Sequence, residues 1–363
     1  MRVALMISSL GPGGAERVMS LLAGELVVRG HEVWLVTLAQ TGDDFFRVDP
    51  RVHRLRLGLS RESMRIWDAL YTNVSRIRAL RRAVMSAAPH VVLSFMTRTN
   101  VLVLLACAGL PVRVVVSERV DPASHRETLF WQGLRVLLYQ RADAVVVQTE
   151  RIATWFRRRL WKRERVVVIP NPAVPSEQTS DPGEEPPQPF ILGAGRLVPQ
   201  KGFDILIRAF AVVATDAPQL RLVIAGEGPD AQQLRDLAAG LGLGSRVTLL
   251  GNVRDLSALM RYAVAFVLSS RYEGFPNVLL EALACGLPTV AADCPVGPRE
   301  ILAGGQYGLL VPCNDAAALA RAIARLLADA ELRQRLSALG PIATAPYEKR
   351  RVVDAWESLL AHS

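Results

Sequence analysis

Residues 1–39 read MRVALMISSLGPGGAERVMSLLAGELVVRGHEVWLVTLA, and the order of elements in this stretch decides the fold. Arg2 to Ser8 is an apolar run of strand length, broken by a turn at Gly11, Gly13 and Gly14. Ala15 to Arg29 then carries a helical pattern that Gly30 stops. HEVWLVTLA supplies a second strand. Strand, glycine loop, helix, strand is a βαβ unit, which requires a parallel sheet with helices laid over it. GPGGAERV departs from the dinucleotide G-x-G-x-x-G pattern, because Glu16 holds the third glycine position. Its glycines still let a ligand come close to the backbone at a strand end.

Outward from this start the alternation continues. HVVLSFM, VRVVVSE, ADAVVVQT and RVVVIP read as further buried strands. The turn Asn171-Pro172 leads into SEQTSDPGEEPPQP, whose proline and acid content marks a linker. A second series follows: strand FILGAG, loop RLVPQKG, helix Phe203 to Ala214, strand RLVIAGEG, helix Asp230 to Ala239, strand RVTLLG, helix Asp255 to Arg261, and strands AFVLSS and PTVAAD. A last helix starts near Tyr347. The expectation is an α/β protein of two doubly wound, Rossmann-like domains facing each other across a cleft, covering residues 1–172 and 190–346 with a linker at 173–189. Such sheets bind ligands at the C-terminal ends of their strands.

Composition narrows the function class. Half the 363 residues are hydrophobic, which excludes a disordered chain. Cys107, Cys285, Cys294 and Cys313 are scattered without a C-x-x-C pair, which argues against a zinc site or a disulfide framework and for a reducing cytosol. The apolar start is short and ends in a glycine turn, so it reads as a first strand and not a leader. Val101 to Val112 is about half a membrane span, so any membrane contact is expected to be peripheral.

The net charge of +9 is uneven, +12 over residues 1–174 and −3 over residues 175–363. Two basic stretches account for much of it: Ser60 to Ala88, with Arg65, Arg76, Arg78, Arg81 and Arg82, and ERIATWFRRRLWKRER, with Trp155, Phe156 and Trp161 beside Arg157, Arg158, Arg159, Lys162, Arg163 and Arg165. Each reads either as a face for an anionic membrane or as a solvated helix face. Nucleic acid is disfavoured because neither stretch matches a known reading module.

Three loops of the second half are expected to converge at the strand ends. Gly195-Arg196-Leu197 and Gln200-Lys201-Gly202 offer a guanidinium fork and a point charge to a diphosphate. Arg271 to Gly286, RYEGFPNVLLEALACG, reads as a turn containing Gly274 and Pro276 that feeds a helix from about Asn277 to Cys285. Its Glu273 and Glu281 flank a helix start suited to phosphate. The third loop is Pro295 to Glu300. Taken singly, each reads equally as a capped or solvated turn; together they make a donor pocket.

GGAERV, GRLVPQKGFDILIRAF, IAGEGPD, LGNV, EGFPNVLLEALACGLPTVAAD, GPREIL and GLLVP resemble the retaining glycosyltransferases of family GT4, which have the GT-B fold. Glu273 and Glu281 keep that family's E-x7-E spacing. The resemblance implies that Arg196 and Lys201 bind the donor diphosphate, Glu273 the donor sugar and Glu281 the ribose hydroxyls. The base would meet the backbone from Gly251 through Asn252 to Val253, while Gly195, Gly226, Gly274, Phe275, Pro276 and Asn277 complete the donor site. Gly13 and Gly14 would line the acceptor side with Glu118 and Arg119, and the final helix, 347–363, would pack back on the first domain. Many members carry a histidine where this chain reads Ser117-Glu118-Arg119, so its part at the donor sugar must be played otherwise. The wording SER-DP is similar to members that extend lipid-linked amino-sugar glycans.

The expected reaction is transfer of a hexose or N-acetylhexosamine from a nucleoside-diphosphate sugar, UDP-linked, to a glycan acceptor on a lipid or oligosaccharide. It would run with retention of configuration, with no cofactor and no essential metal, at the cytoplasmic face of a membrane. The competing readings are a non-catalytic binder of anionic lipid or polyanion, and a sugar-nucleotide epimerase or hydrolase on the same fold.

Overall fold

A computed structural model of the chain describes residues 1–39, 44–59, 66–124, 127–174, 189–253 and 255–362. The chain divides into two compact units: Met1–Asn171 with Arg350–Ser363, and Pro172–Lys349. The proline- and acid-rich linker lies almost wholly outside the described residues.

In the first unit the order is β1 (Arg2–Ile7), α1 (Gly14–Val28), β2 (Glu32–Thr37), β3 (His53–Arg56), α2 (Ile66–Ala87), β4 (Val91–Phe95), α3 (Thr97–Ala106), β5 (Arg113–Ser117), α4 (Leu129–Tyr139), β6 (Ala144–Val147), α5 (Glu150–Arg157) and β7 (Val166–Val168). These strands form one parallel sheet ordered β3-β2-β1-β4-β5-β6-β7. In register, Leu5 faces Leu35 on one side and Leu93 on the other. Such strands are buried on both faces, which is why they read as unbroken apolar runs.

The second unit repeats the plan with β8 (Phe190–Ala194), α6 (Phe203–Asp216), β9 (Arg221–Ala225), α7 (Ala231–Gly240), β10 (Val247–Gly251), α8 (Leu256–Tyr262), β11 (Ala265–Leu268), α9 (Asn277–Ala284), β12 (Thr289–Ala292), α10 (Pro298–Ile301), β13 (Leu309–Val311), α11 (Ala316–Ala328) and α12 (Ala330–Thr344). Its parallel sheet is ordered β10-β9-β8-β11-β12-β13.

The last helix, α13 (Lys349–Ala361), belongs to the first unit from Arg350 onward. Its Val352, Val353, Trp356 and Leu360 enter the core beneath β1, β2 and β4, where Trp356 meets Phe95 at 5.9 Å between ring centroids. Arg29 and His31 bind Glu357 on the rim of this contact.

In both sheets the order of the strands reverses once. In the first, β1 stands between β2 and β4; in the second, β8 stands between β9 and β11. At such a switch point the two neighbouring connections leave on opposite faces, and the loops after the strands open a crevice. The loops after β1 and β4, and after β8 and β11, are therefore the places to look for a site.

Candidate functional site

In the second unit the two switch-point loops carry Lys201 and Glu273. The first loop leaves β8 at Gly195 and returns through a short turn, Pro199–Lys201, to the start of α6. The second leaves β11 and enters α9 at Asn277. The two are stitched together by backbone. Arg271 N–H donates to the Gln200 carbonyl at 2.8 Å, the Gln200 amide donates to the Tyr272 carbonyl at 3.0 Å, and the Ser269 hydroxyl donates to the Lys201 carbonyl at 2.8 Å. Gly202, with φ +64°, sits so close to this seam that a Cβ would stand 2.2 Å from the Ser269 carbonyl oxygen. Only a glycine brings the loops this near.

The seam fixes the charged pair. Lys201 Nζ lies 2.6 Å from Glu273 Oε1, and the Ser270 hydroxyl donates to the same oxygen at 2.6 Å. The Glu273 side chain is 6% exposed and that of Lys201 15%. An ammonium has three donors, so a lysine with one committed to Glu273 keeps capacity for an anionic ligand. Arg271 clamps the outside of the seam, bidentate on Asp204 at 2.9 and 2.7 Å and on the Pro199 carbonyl at 2.6 Å. The hydrogen bonds from Arg271 hold the Asp204 carboxyl below its ordinary range, and Asp204 in return raises the guanidinium.

The remaining donor-side residues cluster around the same loops. Gly226, at the end of β9, donates its N–H to the Gly251 carbonyl at 2.7 Å, and a Cβ there would stand 1.9 Å from the Gly195 carbonyl oxygen. The ends of β8, β9 and β10 thus meet backbone to backbone at Gly195, Gly226 and Gly251. Asn252 is exposed and donates its amide to Glu227 at 2.8 Å; Val253 is half-buried beside it. Gly274, Phe275 and Pro276 are buried, Asn277 opens α9, and Glu281 is buried one turn inside that helix. Arg196 is exposed.

The third loop behaves differently from expectation. Its helix, α10, is a single turn, and Arg299 is spent on Asp293 through both Nε and a terminal nitrogen.

In the first unit, Gly13 caps α1 and Gly14 opens it, with the Glu16 carboxylate folded back over Gly13. Arg119 follows β5, is buried with its guanidinium 4.0 Å above the Phe95 ring, and has one terminal nitrogen without a hydrogen-bond partner among the described residues. Burial pushes Arg119 down to about 9, against the pull of Glu16.

Glu118, expected on the acceptor side, is instead an internal residue. It is fully buried and accepts from the Thr97 hydroxyl at 2.8 Å and the Tyr139 hydroxyl at 3.2 Å, with the Arg135 guanidinium 3.7 Å away. Burial raises its carboxyl despite these partners. Its carboxylate holds the segment that carries Arg119 and presents no oxygen to a ligand.

Two of the arginines expected to give Ser60 to Ala88 a membrane-facing charge also turn inward. Arg76 donates to the Leu59 carbonyl, and Arg81 to the carbonyls of Ala106 and Ala108. Arg65 lies outside the described residues.

Sequence reasoning missed Ser270, Gln200, Glu227 and the Asp204–Arg271 clamp. Ser270 stands only three residues before Glu273, but Gln200, Asp204 and Glu227 meet their partners 25 to 72 positions away. Among the described residues no group of three histidine, cysteine, aspartate or glutamate side chains could hold a metal ion, and no helix is long and apolar enough to cross a membrane.

Comparison with known proteins bears on the family and the fold. The model for glycosyl transferases group 1 matches residues 176–341, and that for the glycosyl transferase 4-like domain matches residues 13–172. The chain is 28% identical to the GalNAc-alpha-(1->4)-GalNAc-alpha-(1->3)-diNAcBac-PP-undecaprenol alpha-1,4-N-acetyl-D-galactosaminyltransferase of Campylobacter jejuni, covering 99% of this chain and 98% of that protein. It is 33% identical to an exopolysaccharide phosphotransferase of Streptomyces coelicolor across 96% of its own length, although it spans only 39% of that protein. Among solved structures, HepE of Anabaena in complex with UDP and glucose superimposes with a TM-score of 0.82 at 20% identity, covering all of both chains.

Proposed function

The chain belongs to the glycosyl transferases group 1, with a glycosyl transferase 4-like first domain and the GT-B fold, and from that premise we propose that it transfers a hexose or N-acetylhexosamine from a UDP-linked donor to a hydroxyl of a lipid-linked glycan, with retention of configuration. The observation that carries this reading is the Lys201–Glu273 pair at the switch point of the second sheet, 2.6 Å apart and locked by Ser270. A cation and a carboxylate held this close can serve both ends of a bond between a sugar and a diphosphate. Lys201 and exposed Arg196 draw off the charge that develops on the leaving phosphate, supplemented by the N-terminus of α9. Glu273 orients a sugar hydroxyl.

In this scheme the acceptor oxygen bonds to the anomeric carbon on the face from which the diphosphate departs. The carbon–oxygen bond to phosphate breaks, and the acceptor proton passes to the departing phosphate oxygen. No strong protein base is needed. Glu281 is assigned to the ribose, the Gly251–Val253 backbone to the base, and Gly13, Gly14 and Arg119 to the acceptor. The acceptor class is taken from the Campylobacter relative, whose substrate is linked to undecaprenol, and the UDP from the HepE complex. With a lipid-linked acceptor the reaction runs at a membrane surface, and the cytoplasmic face is the side this reading assigns to it.

The test is a screen of UDP- and GDP-sugars with a lipid-linked saccharide in the presence of EDTA. The expected result is a glycosylated product with the anomeric configuration of the donor. Free sugar or an epimer in place of that product would favour the hydrolase or epimerase reading, and a strict need for added divalent metal would overturn the metal-free scheme.

A further inference from the structure

The first unit carries an apolar stripe with no protein cover among the described residues. On α4, LFWQGLRVLLY, the inward side is Arg135, Leu138 and Tyr139, all buried. The outward row runs Leu129, Gly133, Leu137 and then Arg141, four residues apart and all exposed, with Phe130 beside it. Leu129 is 85% exposed, Phe130 65% and Leu137 64%. A helix facing only water puts polar residues on such a row. The helix has no carboxylate, and Arg135, its one charged residue, is turned inward onto Glu118 and lies 4.9 Å from the Trp155 ring.

At its C-terminal end the stripe is continuous with the basic aromatic segment. Gln140 donates its amide to the Arg159 carbonyl at 3.1 Å and accepts from the Trp161 N–H at 3.0 Å, which fastens residues 159–161 to the foot of α4. Trp161 is 86% exposed there. Arg141, Arg158, Arg159, Lys162 and Arg163 lie within a few residues of this junction in the chain, all exposed, Arg159 stacked on the Trp155 ring, against the exposed carboxylates of Glu164 and of Glu150, the latter paired with Arg157.

We infer that the α4 stripe together with Trp161 and this cationic rim docks the first unit on an anionic lipid surface. Leucine and phenylalanine in a row, a tryptophan at one end and arginine and lysine around them are what the interface of a bilayer takes up. Each cation near such a surface adds roughly 1 kcal/mol. A second copy of the chain is a poorer occupant, because a two-fold contact would set the cationic rim against itself. The placement also has a use. The N-terminal end of α4 follows the loop from β5, so Leu129 and Phe130 stand on the edge of the sheet from which Gly13, Gly14 and Arg119 project. The inference thereby deepens the reading of a lipid-linked acceptor, and it rests on that reading only for its purpose.

The test is flotation of the whole protein with vesicles, without donor or acceptor. Wild type is expected to float with phosphatidylglycerol vesicles at low salt, and not with phosphatidylcholine alone. Phe130→Ser with Leu137→Ser, and separately Arg158→Glu with Lys162→Glu, are each expected to weaken binding about tenfold or more. Val212→Ser, on the outer face of α6, is the control and leaves binding unchanged. Glycosyl transfer to a water-soluble acceptor analogue is expected to be unaffected in all of these, so loss of activity and loss of docking are read separately. Vesicle binding that survives both double substitutions overturns the inference. So does absence of binding in wild type, or a stripe substitution that only abolishes self-association.

Discussion

Each unit keeps a buried glutamate just beyond the end of a parallel strand, Glu118 after β5 and Glu273 after β11, and the two are held in opposite ways. Glu118 is ringed by Thr97, Tyr139 and Arg135, and Arg135 is itself enclosed against Trp155 and Phe156. Glu273 is held through Oε1 by Ser270 and by Lys201, whose side chain reaches the surface. Burial alone therefore says little about function. A carboxylate with only internal partners is a brace, whereas one whose cation stands at the rim can share that cation with a ligand.

The comparison breaks most visibly at the brace. Glu118→Ala strands the Arg135 charge in an aromatic, nearly dry setting, and loss of one partner of a buried pair costs roughly 3–5 kcal/mol. For a unit of this size that lowers the melting temperature by about 10 °C, measured by thermal unfolding. The folded fraction is expected to keep most of its transfer rate. An unchanged melting temperature with activity lost would move Glu118 among the ligand-binding residues.

At the other glutamate the effect falls on rate. Lys201→Ala removes the point charge at the departing phosphate, and loss of one such electrostatic stabiliser lowers kcat about 10²- to 10³-fold. Glu273→Gln is expected to lower it by a similar order, since an amide changes the orientation of the sugar hydroxyl it meets. Both are read as single-substrate kinetics at saturating donor, beside a melting curve. If Lys201→Ala unfolds the protein as Glu118→Ala does, the contrast between brace and working pair is wrong.

The difference between the glutamates was not legible in the sequence, and the reason is separation along the chain. Glu118 finds its partners 17 to 21 residues away on two other helices, α3 and α4, and Glu273 finds Lys201 72 residues earlier. Periodicity reports only local neighbours. It did locate the elements that carry the site: α6 begins at Phe203 as its pattern predicts, and α9 runs from Asn277 to Ala284, within a residue of the span marked by Pro276 and Gly286. It failed where local pattern and burial part company. β3, His53–Arg56, is charged because it is an edge strand, with Arg54 and Arg56 both paired with Asp44. α3 is buried nearly all round and shows no helical stripe, and α4 has apolar residues on its outward row as well as its inward one. The docking surface followed from that failure, since the exposed row of α4 is recognisable only once its buried row is known.

At the outside of the working site, where Arg271 clamps Asp204, a substitution is expected to change little. Both groups are partly exposed, and a solvent-screened pair of this kind stabilises by at most about 1 kcal/mol. Its pH dependence is nevertheless defined. Asp204 is held below its ordinary carboxylate value of roughly 3.9 by the hydrogen bonds from Arg271. The folded form therefore binds the proton less readily than the unfolded chain, and the contribution is present above that ordinary value and is lost as pH falls through the depressed one. In urea unfolding, Asp204→Asn is expected to be slightly less stable than wild type near neutral pH, and the two curves are expected to converge as Asp204 protonates in acid. A difference that persists undiminished in acid would mean that Asp204 acts through something other than its charge and not through the clamp, and Lys201 would then owe its position to the Ser269 and Gln200 seam alone.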